Sequence, residues 1–357
     1  MNRRARAFWS CAALAVALLC ACTSTPPGAP PLLPQPALEP VVARGLVPLP
    51  AAAPSGRVLG RSDRFLIYEP AAGDTLRSIA GRFLGNESEQ WVIGEFNGIA
   101  QVESERPVVV PLVPLNPFGV QADQYQTVPV LCYHRFGNGG GKMSVSAANF
   151  AAQLEWLARN DFQVIALTQL AAFVEGRKPL PRRAVVITID DGYESVHRVA
   201  LPLLRKHGFP ATLFVYTDFI GAADALSWAQ LQELAGSGLI DVQAHSRSHR
   251  NLIERHAGES DEQYRQALEA EVRTPREAIE RRLPVQVRHF AYPYGDANQA
   301  LLDALTRHRY QLGLTVHPGG NAFFAQPLML RRTMIYGDHD LAAFRQKLQT
   351  TRSIGVP

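Results

Sequence analysis

Paired cysteine is the first thing this 357-residue chain lacks. Its four cysteines are Cys11, Cys20, Cys22 and Cys132, and three of them crowd the extreme N-terminus. Once that leader is cleaved, Cys132 stands alone in the folded part. No intramolecular disulfide can then form, and packing has to hold the fold. Long apolar runs are scarce as well. The run Ala12 to Leu19 is too short to span a bilayer, and with Arg3, Arg4 and Arg6 in front of it residues 1–21 read as a secretory signal. Excess charge is the third absence: the formal +4 includes those three leader arginines, so the remainder is nearly balanced. Nothing in that balance points to a nucleic-acid partner.

What is present suffices for a core. The hydrophobic share is 46%, and the length suits one large domain and one small one. Residues 22–62 are rich in proline and alanine ("PPGAPPLLPQPALEP"), which fixes many φ angles and offers little to bury, so this stretch reads as an extended tether. Residues 63–114 open and close on β-branched and aromatic runs with two helical patterns between them, a small α+β unit in βααβ order. In the first pattern Thr75 caps a helix whose Leu76, Ile79, Ala80 and Phe83 share one face, and Gly85 stops it. A linker follows over residues 115–127.

From residue 128 to 348 strand-like runs alternate with amphipathic helical patterns. The runs are "PVLCYH", "FQVIAL", "AVVITID", "ATLFVY", "IDVQAH", "HFAYP" and "QLGLTV". The helices include "NFAAQLEWLARN", with Phe150, Leu154, Leu157 and Ala158 on one face, and "ESVHRVALPLLRKHG", closed by Gly208. This alternation predicts an α/β domain with a mostly parallel sheet, and seven candidate strands suit a distorted (β/α)7-type barrel. In such folds the chemistry gathers at the C-terminal ends of the strands.

Three strand ends carry polar groups there. Asp190 and Asp191 follow "VVITI", His245 and His249 follow "IDVQA", and Tyr292, Pro293 and Tyr294 follow "HF". Two adjacent carboxylates at the mouth of a sheet repel each other unless a cation or a retained proton intervenes. The His245/His249 spacing suits one helical turn that turns both imidazoles to one ion. With Asp191 they make two histidines and one carboxylate, a set that leaves coordination positions open, and Asp190 is free to act as a base.

The motifs "TIDDGY", "HSRSH" and "FAYPYG" resemble those of polysaccharide deacetylases, the NodB-homology or carbohydrate esterase family 4 group. The resemblance covers residues 128–348 and implies hydrolysis of N-acetyl groups. It implies Asp190 as catalytic base and Asp191, His245 and His249 as ligands of a divalent metal, usually zinc (Zn2+). Ala291 stands where many members carry an arginine. "FAYPYG" with the early "YH" is instead similar to the poly-N-acetylglucosamine deacetylase branch, which implies His134 as general acid, with His317 in "LTVHPGG" as the competitor. Arg332 matches an arginine of the same branch, and with Tyr292, Pro293 and Tyr294 it is a candidate for substrate contact.

Two further resemblances concern the N-terminal part. "LCAC" is similar to a bacterial lipobox, which implies lipidation of Cys22 and, with Thr23 after it, an envelope protein anchored in the outer membrane and facing the periplasm. "GDTLRSIAGRF", Trp91, Asn97 and "VVVP" make residues 63–114 resemble a LysM module, which implies binding of N-acetylglucosamine-containing glycan. The combined expectation is a lipid-anchored, metal-dependent deacetylase of an N-acetylated glycan polymer. Peptidoglycan is the first choice, exported poly-N-acetylglucosamine the second, and a non-catalytic wall-binding lipoprotein the alternative.

Overall fold

The computed structural model describes residues 56–354 except Asn138 and Gly140. The expected signal segment, Cys22 and most of the expected tether lie outside the described residues. No helix among the described residues is long and apolar enough to cross a membrane.

The small N-terminal unit is built on an antiparallel sheet of β1 (Arg57–Arg61), β2 (Phe65–Glu69) and β3 (Val108–Pro111), in that order. Helices α1 (Leu76–Leu84) and α2 (Gln90–Asn97) join β2 to β3. Alternate residues Leu66 and Tyr68 of β2 and Val108 and Val110 of β3 face Leu76, Ile79, Ala80 and Ile93 in one apolar cluster. Thr75 and Ser78 exchange cap bonds at the start of α1 (3.0 and 2.9 Å), and Gly85, at φ 74°, ends it in the left-handed region. The Asn97 side chain donates to Ile93 O and Val109 O and accepts from Val109 N, tying α2 to β3. Strand β1 lies in the stretch the sequence reading gives to the tether. Its side chains are mostly exposed, so backbone pairing with β2 makes it a strand, and no apolar alternation announces it.

The large unit holds a curled parallel sheet. Its strands are β4 (Val128–Tyr133), β5 (Ala184–Ile189), β6 (Ala211–Val215), β7 (Ile240–Ala244), β8 (His289–Ala291) and β9 (Leu312–Leu314), neighbours in that order. β4, β5, β6 and β7 are buried on both faces apart from half-buried Asp241, as parallel strands covered by helices must be. Successive residues take opposite sides. Leu131, Tyr133, Ile187, Ile189, Leu213 and Val215 pack outward on the helices, whereas Val128, Val130, Val186, Phe214, Leu312 and Leu314 pack inward.

"FQVIAL" does not become a full strand. Only Gln163–Val164 pairs with β5, and a helix begins at Leu167, its start fixed by Gln169 Oε1 accepting from Ala166 N (2.9 Å). Leu167, Leu170, Ala171 and Val174 of that helix belong to the inward cluster, so the apolar run continues as a buried helix face. The seventh place in the ring goes to β10 (Thr333–Met334), which pairs with Leu131–Cys132 of β4. Leu330 bridges to Leu314 of β9, so residues 330–334 form a seam across the gap between the first and last strands. In the helix Ala147–Arg159 the buried fourth position is Gln153 rather than Ala158, because Gln153 Oε1 accepts the Tyr133 hydroxyl (2.8 Å).

Candidate active site

The inward phase of the strands builds the site. Val130, Cys132 and His134 continue one inward row, Val186, Thr188 and Asp190 a second, and Gln243 and His245 a third. Asp190 N donates to Tyr133 O (2.9 Å), and Thr188 Oγ1 donates to Leu131 O (2.7 Å), which locks the first two rows together. At the strand ends His134, Asp190, Asp191, His245, His249 and Tyr292 line one cavity of about 330 Å³.

Turns in the left-handed region aim the last side chains. Asp191, Ser246, His249 and Tyr294 all have φ between 60° and 76°, and they are four of the seven positive-φ non-glycine residues among the described residues. Each such position costs about 1–2 kcal/mol, so strain is concentrated where the side chains converge. This corrects the helical turn expected for His245–His249: that segment is a loop. Buried Glu271 shapes it from a distant helix, accepting from Arg247 N (2.9 Å), Ser248 N (2.9 Å) and Ser248 Oγ (2.7 Å). Sequence reading missed Glu271, because nothing local marks a glutamate more than twenty residues away as the loop's anchor.

Asp191 Oδ1 is buried without a hydrogen-bond partner, 3.5 Å from His245 Nε2 and 3.4 Å from His249 Nε2. Those separations exceed ordinary hydrogen-bond lengths. His245 Nδ1 bonds Ala291 O (2.8 Å), which leaves Nε2 free to face the carboxylate. Ligand atoms of Asp191, His245 and His249 lie within 4.8 Å of one another. A carboxylate oxygen and two imidazole nitrogens that converge without bonding one another fit a divalent cation, and two histidines with a carboxylate are a donor set that suits zinc.

Asp190 stands beside this group and is held differently. Its Oδ1 accepts from Arg332 Nη1 (2.7 Å), and its Oδ2 is 3.5 Å from Cys132 Sγ and 3.8 Å from His245 Nε2. Burial works against ionisation, but the Arg332 guanidinium, followed by His245, outweighs it and holds the carboxyl well below the usual range. Burial also lowers the pKa of His134, whose Nδ1 has no partner.

The other expected residues separate. Arg332 is a candidate substrate contact in the sequence reading, yet it is 0% exposed and does not line the cavity. Its Nε donates to Thr315 O (2.9 Å) and its Nη1 to Asp190, so it positions the carboxylate from within the sheet. Pro293 is buried and starts the turn after β8 without reaching the cavity. Tyr292 borders the cavity but is 0% exposed: its side chain packs in the outward core and its hydroxyl donates to Leu328 O (2.6 Å). Tyr294 is 61% exposed at the rim, its ring 5.1 Å from that of His249. His317 lies on a different groove. Met143, Met334 and Tyr336, which lie outside the three motifs, and Tyr193, the last residue of "TIDDGY", also line the cavity and were not anticipated.

A glycine fixes the turn that carries Tyr294. Gly295 has φ +80°, and a Cβ there would lie 2.3 Å from Val316 Cγ2, a wall residue of the cavity. Gly295→Ala is expected to cost about 2–5 kcal/mol from backbone strain and overpacking, read as a lowered urea midpoint. An unchanged midpoint would contradict the packing of this turn.

Comparison with known families gives the geometry a context. Residues 177–313 match the polysaccharide deacetylase family model. That stretch is similar to a polysaccharide deacetylase domain. The chain is 28% identical over 200 residues to YxkH of Bacillus subtilis (strain 168), covering 56% of this chain and 68% of that protein. It is 26% identical over 245 residues to the poly-beta-1,6-N-acetyl-D-glucosamine N-deacetylase of Escherichia coli (strain K12), covering 59% of this chain. The match spans only 36% of the E. coli protein's length. The solved structure of IcaB from Ammonifex degensii superposes with a TM-score of 0.56 at 25% identity, covering 62% of this chain and 96% of that one. The large unit thus has a curled α/β sheet like that of these proteins, and its Asp190, Asp191, His245 and His249 meet in one cavity.

Proposed function

We propose that this protein is a metal-dependent N-deacetylase of an N-acetylhexosamine polymer in the bacterial cell envelope. The observation that carries the reading is the buried, unpartnered Asp191 Oδ1 facing two imidazoles, with the Arg332-bonded carboxylate of Asp190 next to it. When bound, a divalent ion, zinc in this reading, supplies Lewis-acid charge that polarises the acetamide carbonyl and acidifies water, which a carboxylate held as low as Asp190 requires.

The chain's own residues supply the rest. Asp190 Oδ2, free of the Arg332 bond, accepts the proton of the attacking water. The leaving amine needs a proton, and the histidine on the cavity wall, His134, is placed to deliver it. Tyr294, exposed at the rim, offers an apolar face to a pyranose, whereas Tyr292 is buried beneath the cavity and shapes it by packing. His134→Asn is expected to lower kcat by about 10²–10⁴-fold with glycan binding and metal content kept. A comparable loss seen only in His317→Asn would move the proton donor to the other groove.

In this reading Cys22 carries lipid that anchors the protein in the outer membrane facing the periplasm, and residues 63–114 act as a LysM-like module that holds the glycan. Tethering raises the local concentration of polymer, so the cavity need not bind tightly by itself. Peptidoglycan is the polymer in reach of such an anchor. The second reading is poly-N-acetylglucosamine, favoured by the name of the E. coli relative. The test is to count products on both polymers. N-deacetylation releases acetate and exposes free amine one for one; acetate without amine would mean ester cleavage, and glycan binding without either product would favour the wall-binding alternative.

A further inference from the structure

A second groove, of about 400 Å³, lies on the other side of the seam formed by residues 330–334. Adjacent residues face opposite ways there: Val316 lines the catalytic cavity and His317 the groove. In the same manner Arg332 points into the sheet to hold Asp190, and Arg331 lines the groove. The two share no lining residue: Thr127 of the groove precedes β4, and His134 of the cavity follows it.

Its lining is cationic and aromatic. Arg331, Arg352, His317, Tyr125 and Phe324 contribute to it, and no aspartate or glutamate does. Among the described residues none of Arg331, Arg352 and His317 forms an ion pair. Phe324 is 62% exposed, yet it is fixed against Tyr125, with ring centroids 5.2 Å apart. Arg352 sits opposite Tyr125 in an antiparallel pair of short strands.

Arg331 is organised before any ligand arrives. Its backbone N donates to Asn321 Oδ1 and its carbonyl accepts from Asn321 Nδ2, both at 2.9 Å. Its side chain crosses Gly319, where a Cβ would lie 3.1 Å from Arg331 Cδ, and Nη1 donates to Pro318 O (3.1 Å). A positioned guanidinium beside an exposed ring matches a sugar that presents an apolar face and a carboxylate on its edge. A neutral polymer would leave both arginines without an oppositely charged partner.

We propose that this groove binds a carboxylate-bearing residue of the same glycan chain, some sugars away from the N-acetylhexosamine in the catalytic cavity, so that the substrate is an acidic N-acetylated polymer. The proposal rests on the deacetylase reading above. It assigns Arg331 and Arg352 to substrate selection and gives His317 a place beside them rather than in proton transfer.

The test uses the purified protein and its Arg331→Gln/Arg352→Gln variant, each also carrying Asp190→Asn so that binding is read without turnover. The probes are soluble peptidoglycan oligosaccharides with free carboxylates and the same oligosaccharides with those carboxylates amidated. The free form is expected to bind about tenfold more tightly than the amidated form, and the arginine variant to bring that ratio close to one. Equal binding of the two forms by the arginine-containing protein would overturn the proposal, as would a ratio preserved in the variant. Competition by inorganic polyphosphate as strong as that by the carboxylated glycan would overturn the glycan assignment in favour of a general anion site. Because binding is measured apart from acetate release, failure of the deacetylase reading and failure of the groove are separate results.

Discussion

Asparagine at position 190 is expected to lower acetate release by about a thousandfold or more while the protein keeps its metal. The substitution removes the one oxygen pair placed to accept a proton from water and leaves Asp191, His245 and His249 untouched. Its amide oxygen can still accept from Arg332, so the side chain should hold its place. The comparison is His249→Ala, expected to lose rate and metal together. Metal content by elemental analysis, read beside the rate, separates the two roles. A near-normal rate in Asp190→Asn would remove Asp190 from the mechanism.

The second large effect belongs to Arg332→Met. Arg332 and Asp190 are both buried and bonded to each other, and removing one partner of such a pair strands the other charge in the interior. A loss of about 3–5 kcal/mol in unfolding free energy is expected at neutral pH. The pH dependence carries the signature. With Arg332 present, the carboxyl of Asp190 is held below its unfolded value, so its contribution is present above about pH 4 and is lost as the pH falls through the folded pKa. Without Arg332, burial dominates and raises the carboxyl, so the penalty grows as pH rises from about 4. Urea midpoints at pH 4 and pH 7 read the difference: the deficit of the methionine variant should be larger at pH 7. Equal deficits at the two pH values would mean that the loss comes from packing alone.

Much of the fold was legible because alternation survives in the sequence. Val186, Thr188 and Asp190 share one phase, and that phase alone carries the Asp190 carboxylate from the apolar interior to the mouth of the sheet. The same rule contained more than was used. Val130, Cys132 and His134 are in the inward phase, whereas Leu312, Leu314 and Val316 put His317 out of it, so parity separates the two histidines. The spacing of His245 and His249 marked a pair but suggested a helix, since the loop's shape depends on Glu271 and on positive φ at Ser246 and His249, neither of which is a local signal. Burial of Arg332 was illegible for another reason. Arginine is almost never fully buried unless paired, and its partner lies 142 residues away. The seam failed likewise: Thr333–Met334 is too short to announce a strand, while "FQVIAL" is apolar enough to imitate one.

The central claim is that Asp191, His245 and His249 hold a divalent ion that the deacetylation requires. Acetate release from peptidoglycan and poly-N-acetylglucosamine oligomers, before chelation, after it and after zinc is returned, tests this most directly. The account predicts that the chelator stops release, that zinc restores it, and that His249→Ala stays inactive whether or not zinc is returned. Release that persists after metal content has fallen to nothing would contradict it.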